Sequence, residues 1–310
     1  MWRYVAKRVL LMIPVLLGVM IFIFFVMELS PGDPASTILG AGATQEAIDQ
    51  LNHEIGYDRP MLERLGKYIL NVFTSGDFGE SYKSRLPVID SILPRIPVSL
   101  RVAANAITFA VFIGVPIGVL SAVKQYSLLD TIPTVTSLFL SALPGFWLGM
   151  LLLYTFALKL NWVPSYGIED WKCFILPTVS LGLPYAAQEL RYTRSSMLDT
   201  IRSDYVRTAR AKGAAERRII WRHALKNALL PVITLTGTVF AAMLGGAVVT
   251  ESLYSIPGLG SLLVTSIKIK DTPTVMGCTF ILAAMCSFIL LFVDLLYAAV
   301  DPRIKAKYSK

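Results

Sequence analysis

Few residues of this chain have the types and spacing that chemistry requires. Its three cysteines, Cys173, Cys278 and Cys286, are widely separated and form no Cys-x-x-Cys pair. Its two histidines, His53 and His223, are also far apart in sequence. Metal sites and thiol catalysis need such residues in close clusters. We therefore predict no metal-binding residues, and we interpret the cysteines as small apolar side chains.

The sequence also has none of the motifs that carry hydrolytic or nucleotide chemistry. It contains no Gly-x-x-x-x-Gly-Lys-Ser/Thr loop for ATP, no Gly-x-Ser-x-Gly elbow and no His-Glu-x-x-His pair. We predict no catalytic and no cofactor-binding residues, so the chain is not expected to be an enzyme.

The composition is that of a membrane protein. Of the 310 residues, 55% are hydrophobic and 16% are charged, whereas soluble domains carry about 25% charged residues. A membrane-spanning helix needs about 20 mainly apolar residues. Six segments come close to this length: 9–29, 102–123, 131–158, 173–188, 227–250 and 272–293. The predicted fold is therefore all-α, a polytopic membrane protein with six transmembrane helices.

Proline and glycine are expected to change the shape of the fourth and second predicted spans. The fourth span is short and holds Pro177 and Pro184, so we expect a kinked helix that extends past Glu189. The second span contains Gly114-Val115-Pro116-Ile117-Gly118. We expect this run to break the helix and to let a neighbouring helix approach closely.

The distribution of Lys and Arg sets the expected orientation. With six crossings and the N-terminus inside, the inner segments 1–8, 124–130, 191–226 and 301–310 hold 18 of the 29 Lys and Arg residues. Cytoplasmic loops carry such an excess, which favours an N-in/C-in topology. The net charge of +8 is then mostly a topology signal, and no nucleic-acid partner is needed to explain it.

The same reading divides the chain into four parts. Residues 1–29 form an N-terminal segment and first span, and residues 30–97 form an extracytoplasmic segment. Residues 98–300 form a five-helix transmembrane core that includes a basic inner loop at 191–229, and residues 301–310 form a cytoplasmic tail.

Four acidic residues lie near the ends of predicted spans: Glu28, Glu189, Glu251 and Asp294. An acid inside a membrane is a candidate functional residue. At the ends of spans, solvation at the membrane interface is the simpler interpretation, and we adopt it for all four.

The inner loop carries the strongest functional signal. Residues 204–231 are rich in Ala, Arg, Lys and Leu, which favour helix, and Gly213 interrupts the run. We predict a short helix that ends near Gly213 and a second helix that leads into the fifth span. On composition alone, the loop would be interpreted as lying on anionic lipid headgroups.

The pattern of this loop resembles the cytoplasmic EAA loop of bacterial ABC import permeases. Thr208 and Ala209 occupy the places of the two alanines, Gly213 is the motif glycine, and Arg207 replaces the glutamate of the name. The peptide branch of the family is similar to both 205–213 and 223–228. Further matching runs lie at 30–34, 76–81, 85–88, 194–198, 250–260, 293–297 and 301–304.

Together these runs resemble the first permease subunit of the dipeptide/oligopeptide/nickel importer family. The resemblance implies a type I importer transmembrane domain in the bacterial cytoplasmic membrane, moving di- or oligopeptides by alternating access. It implies four kinds of partner: a paralogous six-span permease, two cytoplasmic P-loop ATPases, an extracytoplasmic solute-binding protein and the lipid bilayer. It also implies that ATP and Mg²⁺ bind to the ATPase subunits and that this chain holds no cofactor. The residues implied in coupling to the ATPase are Tyr205, Arg207, Thr208, Ala209, Arg210, Ala211, Lys212, Gly213, His223 and Asn227. The residues of the substrate path stay unknown.

Several alternatives stay open on the sequence. The same family imports nickel or metal chelates. A secondary transporter driven by an ion gradient would place acids or histidines at mid-membrane, which the uncharged span centres disfavour. A membrane enzyme would need converging catalytic groups, and a membrane scaffold would not need the loop pattern.

Overall fold

The computed structural model describes residues 2–40 and 42–300, and this part of the chain is helical. Its α-helices are α1 (Trp2–Leu29), α2 (Pro34–Leu39), α3 (Gln45–Glu54), α4 (Met61–Ser75), α5 (Val88–Ile92), α6 (Ile96–Val123), α7 (Leu128–Ala142), α8 (Gly145–Leu152), α9 (Ile175–Ile201), α10 (Asp204–Ala211), α11 (Glu216–Arg218), α12 (Leu225–Leu253), α13 (Leu259–Lys268) and α14 (Thr272–Val300). The predicted tail at 301–310 lies outside the described residues.

Four helical stretches in the described residues are long and apolar enough to cross a membrane. They are Val5–Leu29, Val88–Val123, Glu216–Leu253 and Thr272–Leu296. They contain the first, second, fifth and sixth predicted spans, so the prediction of long apolar helices is confirmed there.

The third predicted span is not one straight helix. Helix α7 ends at Ala142, and α8 begins at Gly145 after a bend of 100°. Pro144 disfavours helical geometry in the residue before it, and Leu143 is extended, with φ −77° and ψ 132°. The third predicted span, 131–158, therefore consists of two helices, and the bent pair can form a fifth crossing as a broken span.

The fourth predicted span is α9, which extends well past Glu189 as expected. Gln188, Glu189 and Arg191 make this helix too polar to count with the apolar spans. The six-span count and the N-in/C-in orientation therefore stay predictions.

Helices α6 and α9 make the most extensive helix–helix contact in the described part of the chain. Helix α6 is uninterrupted through Pro116, so the predicted break is wrong. The predicted close approach is confirmed, because a Cβ added to Gly114 would lie 2.5 Å from the carbonyl oxygen of Ala186. One added to Gly118 would lie 2.6 Å from that of Leu190. Small residues at such contacts let helix backbones approach closely within membranes.

The segment 30–97 packs against α1 and α14. Buried side chains of α1, α4 and α14, among them Phe24, Leu65 and Met276, share one apolar cluster. Arg64 of α4 forms an ion pair with Glu28 at the end of α1, with 2.6 Å between Nη2 and Oε1.

The turn between α13 and α14 ties this segment down by hydrogen bonds. Lys270 donates to the carbonyl oxygens of Ser30 and Gly32. The buried Asp271 accepts from Ser81 Oγ at 2.6 Å and from the Tyr82 amide at 2.9 Å. The segment is therefore attached to the start of α14 as well as to α1.

We expect Asp271→Ala to loosen the loop that contains Ser81 and Tyr82. The substitution removes acceptors from buried or half-buried donors, which costs about 1–3 kcal/mol. Limited trypsin digestion should cut faster after the exposed Lys83 and Arg85. Asp90→Ala, at an exposed position of α5, is the control and should leave cleavage unchanged. Equal cleavage of both variants would contradict the attachment.

Candidate functional site

The basic loop folds as the sequence predicts, into a short helix followed by a turn. Helix α10 runs over Asp204–Ala211, and Gly213 has φ +76°. In this left-handed conformation the Ala214 amide donates to the Ala209 carbonyl at 3.2 Å and closes the helix end. Glycine adopts such a φ without a steric penalty, which explains why the run is interrupted there.

A single buried side chain anchors α10 to the rest of the molecule. Val206 is fully buried and is the one buried residue of this helix. Helix α10 packs against the π-helical turn Ile219–Ala224, in which Ile219 and Ala224 are fully buried. That turn continues directly into α12, so a displacement of α10 is transmitted to a long apolar helix.

A polar contact supports the same junction. Asn227 Nδ2 donates to Tyr205 Oη at 3.0 Å and to the His223 carbonyl at 3.1 Å. The structure therefore brings together three residues that the family resemblance implies. Tyr205 and Asn227 remain exposed, so they also contribute to the surface of the loop.

The other predicted residues form the exposed face of α10 and its end. Ala209 is half-buried, and the exposed members are Arg207, Thr208, Arg210, Ala211, Lys212 and Gly213. Arg210 Nε donates to Glu216 Oε1 at 2.7 Å. This contact lowers the pKa of Glu216 and raises that of Arg210. Both side chains are well solvated, so the pair contributes little to stability.

An ion pair that the sequence analysis missed fixes the helix that leads into α10. Asp130 Oδ1 and Oδ2 accept from Arg194 Nε at 2.6 Å and from its Nη2 at 2.8 Å. Asp130 also accepts from Ser121 Oγ and from the Tyr126 amide at 2.9 Å. Asp130 is only 3% exposed. The pair therefore joins the first turn of α7 to α9, about three helical turns before α10 begins.

The interpretation of interfacial solvation is wrong for Glu251. This side chain is fully buried, and its Oε2 accepts from the Gly260 amide at 2.7 Å and from the Ser261 amide at 3.2 Å. These amides belong to the first turn of α13, which leaves its N–H groups without partners inside the helix. Glu251 therefore caps α13 from the end of α12.

Glu189 is fully buried as well, which also contradicts interfacial solvation. Neither of its carboxylate oxygens has a hydrogen-bond partner among the described residues. It lies on the face of α9 that Gly114 contacts, since a Cβ at Gly114 would meet Glu189 Cβ at 2.7 Å. By contrast, Asp294 lies near the end of α14 and pairs with Arg8 at 3.0 Å.

A bundle of apolar helices with an exposed basic helix on one loop is the architecture of an integral membrane protein. Comparison with known protein families identifies the class of membrane protein. The family model for binding-protein-dependent transport system inner membrane components matches residues 114–306, and the N-terminal model of such components matches residues 1–103. The chain belongs to this family.

Sequence relatives narrow the class further. The chain is 38% identical to the glutathione transport system permease protein GsiC of Escherichia coli K12 over 99% of this chain and 100% of that protein. GsiC of Salmonella paratyphi A matches at the same identity and coverage. The chain is therefore an ABC importer permease of the dipeptide/oligopeptide type and a multi-pass protein of the bacterial inner membrane.

Solved structures show the same fold. The inward-facing MetNI methionine ABC transporter matches with a TM-score of 0.58 at 18% identity, over 69% of this chain and 97% of that one. An amino acid ABC transporter crystallised with histidines matches with a TM-score of 0.53 at 15% identity, over 69% and 94%. The fold is thus that of a type I importer membrane domain. A permease of this class works with ATPase subunits, a substrate-binding protein and a second permease.

Proposed function

We propose that this chain is the first of two paralogous permeases in an importer of di- or oligopeptides, driven by two separate P-loop ATPases. A solute-binding protein would deliver the peptide to the predicted extracytoplasmic segment. The exposed, basic α10 carries the proposal, because it is held by one buried side chain and otherwise faces away from the chain. The name of the relatives favours a peptide-like cargo over nickel or a metal chelate.

The proposed coupling surface consists of the residues implied by the family resemblance. Its members are Tyr205, Arg207, Thr208, Ala209, Arg210, Ala211, Lys212, Gly213, His223 and Asn227. Small side chains near Ala209 and Gly213 permit close approach of a partner backbone, and the basic side chains can pair with its carboxylates. No atom of this surface needs to react.

The proposed motion starts at α10. When the ATPases close on ATP, they displace α10 together with Val206 and the π-helical turn that it contacts. The displacement passes into α12 directly and into α9 through the connection at Arg202–Ser203. The Asp130–Arg194 pair carries it from α9 to α7. The result is a change between discrete inward-open and outward-open states.

We also propose the four-part division of the chain. Residues 1–29 anchor the chain, 30–97 face the binding protein, and 98–300 form the permease core with the coupling loop 191–229. Residues 301–310 are proposed as a cytoplasmic tail.

Affinity purification of this chain from its native membranes tests the proposal. We expect stoichiometric recovery of a second permease and two P-loop ATPases by mass spectrometry. Ala209→Trp and Gly213→Val should each lower ATPase recovery about tenfold or more, since tenfold corresponds to about 1.4 kcal/mol. Leu128→Trp, an exposed side chain at the start of α7, is the control and should retain both ATPases.

The opposite outcomes are equally clear. Recovery of the chain alone, or as a homo-oligomer, would reject the importer and favour a gradient-driven transporter. The cargo is tested by uptake of radiolabelled dipeptide and tripeptide into proteoliposomes that contain the recovered complex, the binding protein and internal ATP. Uptake of Ni²⁺ without uptake of peptide would reject the peptide cargo.

A further inference from the structure

A cavity of about 390 Å³ lies between the segment 30–97 and the permease core. We call it the outer cavity. Its wall comes from the α3–α4 connection, from α4, from the loop at 79–85 and from the start of α14, with Phe24 of α1 at its base. A volume of this size falls within the range of small-molecule pockets. The cavity therefore has room for a ligand of a few residues.

The charges around the outer cavity fall into paired and unpaired groups. Arg64 pairs with Glu28, and Arg85 pairs with Glu54 at 3.3 Å. Four other charged side chains line the cavity without an ion pair among the described residues. They are the cations Arg59 and Lys67 and the acids Glu63 and Glu80.

Two of the four unpaired charges, Glu63 and Lys67, are held on a helix, whereas Arg59 lies in the α3–α4 connection. Glu63 and Lys67 lie four residues apart on α4, so both face the cavity from the same side of one helix. Arg64 is fixed by its ion pair and lies over the ring of Tyr57, with 4.4 Å from Cζ to the ring centroid. The 79–85 loop that carries Glu80 is held by Asp271.

Between the charged groups, the wall of the outer cavity is apolar and contains one hydroxyl group that is not satisfied by a hydrogen bond. Phe24, Met276 and the ring of Tyr68 supply the apolar surface. The Tyr68 hydroxyl is buried and has no hydrogen-bond partner among the described residues. Buried polar groups are normally satisfied, so an unpaired hydroxyl beside a cavity indicates a missing partner.

We infer that the outer cavity binds a short peptide through its two charged termini. Arg59 and Lys67 receive the carboxylate, Glu63 and Glu80 receive the ammonium group, and the apolar wall accepts a side chain. The two unpaired cations and the two unpaired anions complement a zwitterion, which carries both a negative and a positive group. A simple anion would interact only with the cations, and a simple cation only with the acids. The inference rests on the proposed peptide import and places a peptide subsite on the permease itself, separate from the binding protein.

Binding to the assembled importer, without the binding protein, is the test. The complex is reconstituted in nanodiscs of phosphatidylcholine and titrated calorimetrically with a dipeptide or tripeptide. We expect saturable binding of the peptide with free termini and no binding of the same peptide acetylated and amidated at its ends. Arg59→Ala/Lys67→Ala should weaken binding about tenfold or more, which corresponds to about 1.4 kcal/mol. The exposed Lys83→Ala and Asp49→Asn are matched controls that lie outside the cavity.

Several outcomes would overturn the inference. Equal binding by the double variant, or equal binding of the blocked peptide, would show that the termini are not recognised here. A phosphatidylethanolamine headgroup carries the same pair of charges. If the double variant binds peptide as the unmodified complex does but loses the phosphatidylethanolamine that co-purifies with it, as measured by mass spectrometry, the cavity is a lipid-headgroup site and the peptide assignment is wrong.

Uptake assays separate this inference from the proposed function. If the complete importer takes up peptide while the nanodisc complex binds none, peptide import stands and the cavity is not a peptide subsite. If the importer takes up no peptide at all, the proposed cargo fails first, and the titration then decides the cavity by itself.

Discussion

Replacing Gly114 with valine is expected to prevent stable assembly of the helix bundle. The new Cβ would lie 2.5 Å from the Ala186 carbonyl oxygen and 3.1 Å from the Leu190 nitrogen, both of which are backbone atoms of α9. A backbone cannot rotate away as a flexible side chain can, so the helices must separate. Overpacking inside a core typically costs about 1–3 kcal/mol, and occasionally more. We expect a cost at the upper end of this range because the substitution forces apart α6 and α9, which make the most extensive helix–helix contact in the described part of the chain.

The expected measurement is a loss of folded chain in detergent, seen as aggregation in size-exclusion chromatography. Gly245→Ala is the control, since a Cβ at Gly245 meets nothing within 4 Å. In a helix this substitution is neutral or stabilising, because alanine has the higher helix propensity. Gly114→Ala should lie between the two. A Gly114→Val chain that elutes as folded protein would show that the α6–α9 contact is not as close as described.

The long apolar runs explain why most of the helices could be predicted. Segments such as 9–29 and 272–293 contain no charge until their ends, and a membrane offers such a stretch few options besides a helix. Gly213 could be predicted for a similar local reason, since one glycine in a helix-forming run marks an end. Both features are determined by residues that lie close together in the sequence, so they can be predicted without knowledge of the tertiary structure.

The burial of Glu251 and the bend at Leu143–Pro144 could not be predicted from the hydropathy of the sequence. Glu251 was expected to be solvated because it ends an apolar run, but α13 folds back over it and supplies amide donors. The bend at Leu143–Pro144 depended on a proline within an otherwise apolar run, and hydropathy does not register it. In both cases the decisive atoms come from the packing or the local backbone geometry and not from composition.

The residues of the candidate site could be predicted only in part from the sequence. The resemblance implied Tyr205, His223 and Asn227 as part of it, and the structure brings these three together. Nothing in the sequence singled out Asp130 and Arg194, because 64 residues separate them. Asp130 and Arg194 lie in two separate predicted inner segments, where neither residue gives a signal by itself, and only their contact makes them informative.

Replacing either partner of the Asp130–Arg194 pair with alanine is expected to destabilise the chain. The two substitutions should differ in their cost. Breaking a buried ion pair costs about 3–5 kcal/mol when the remaining charge stays buried. Arg194→Ala leaves Asp130, whose side chain is 5% exposed, without its counterion. Asp130→Ala leaves Arg194, whose side chain is 24% exposed and can reach water. We therefore expect Arg194→Ala to be the more harmful variant, with a cost near that range and a smaller cost for Asp130→Ala.

The double variant Asp130→Leu/Arg194→Met separates charge burial from packing. Apolar residues of similar volume often replace a buried pair without loss of stability, so this chain should regain most of what Arg194→Ala loses in thermal unfolding in detergent. Arg202→Ala is the control, because Arg202 is exposed and donates to Gln125 at 3.2 Å. If the pair also transmits the motion of α10, the refolded double variant should bind the ATPases normally while peptide uptake per ATP hydrolysed falls. Full uptake by that variant would show that the pair holds α7 to α9 without taking part in transport, and that the motion need not pass from α9 to α7.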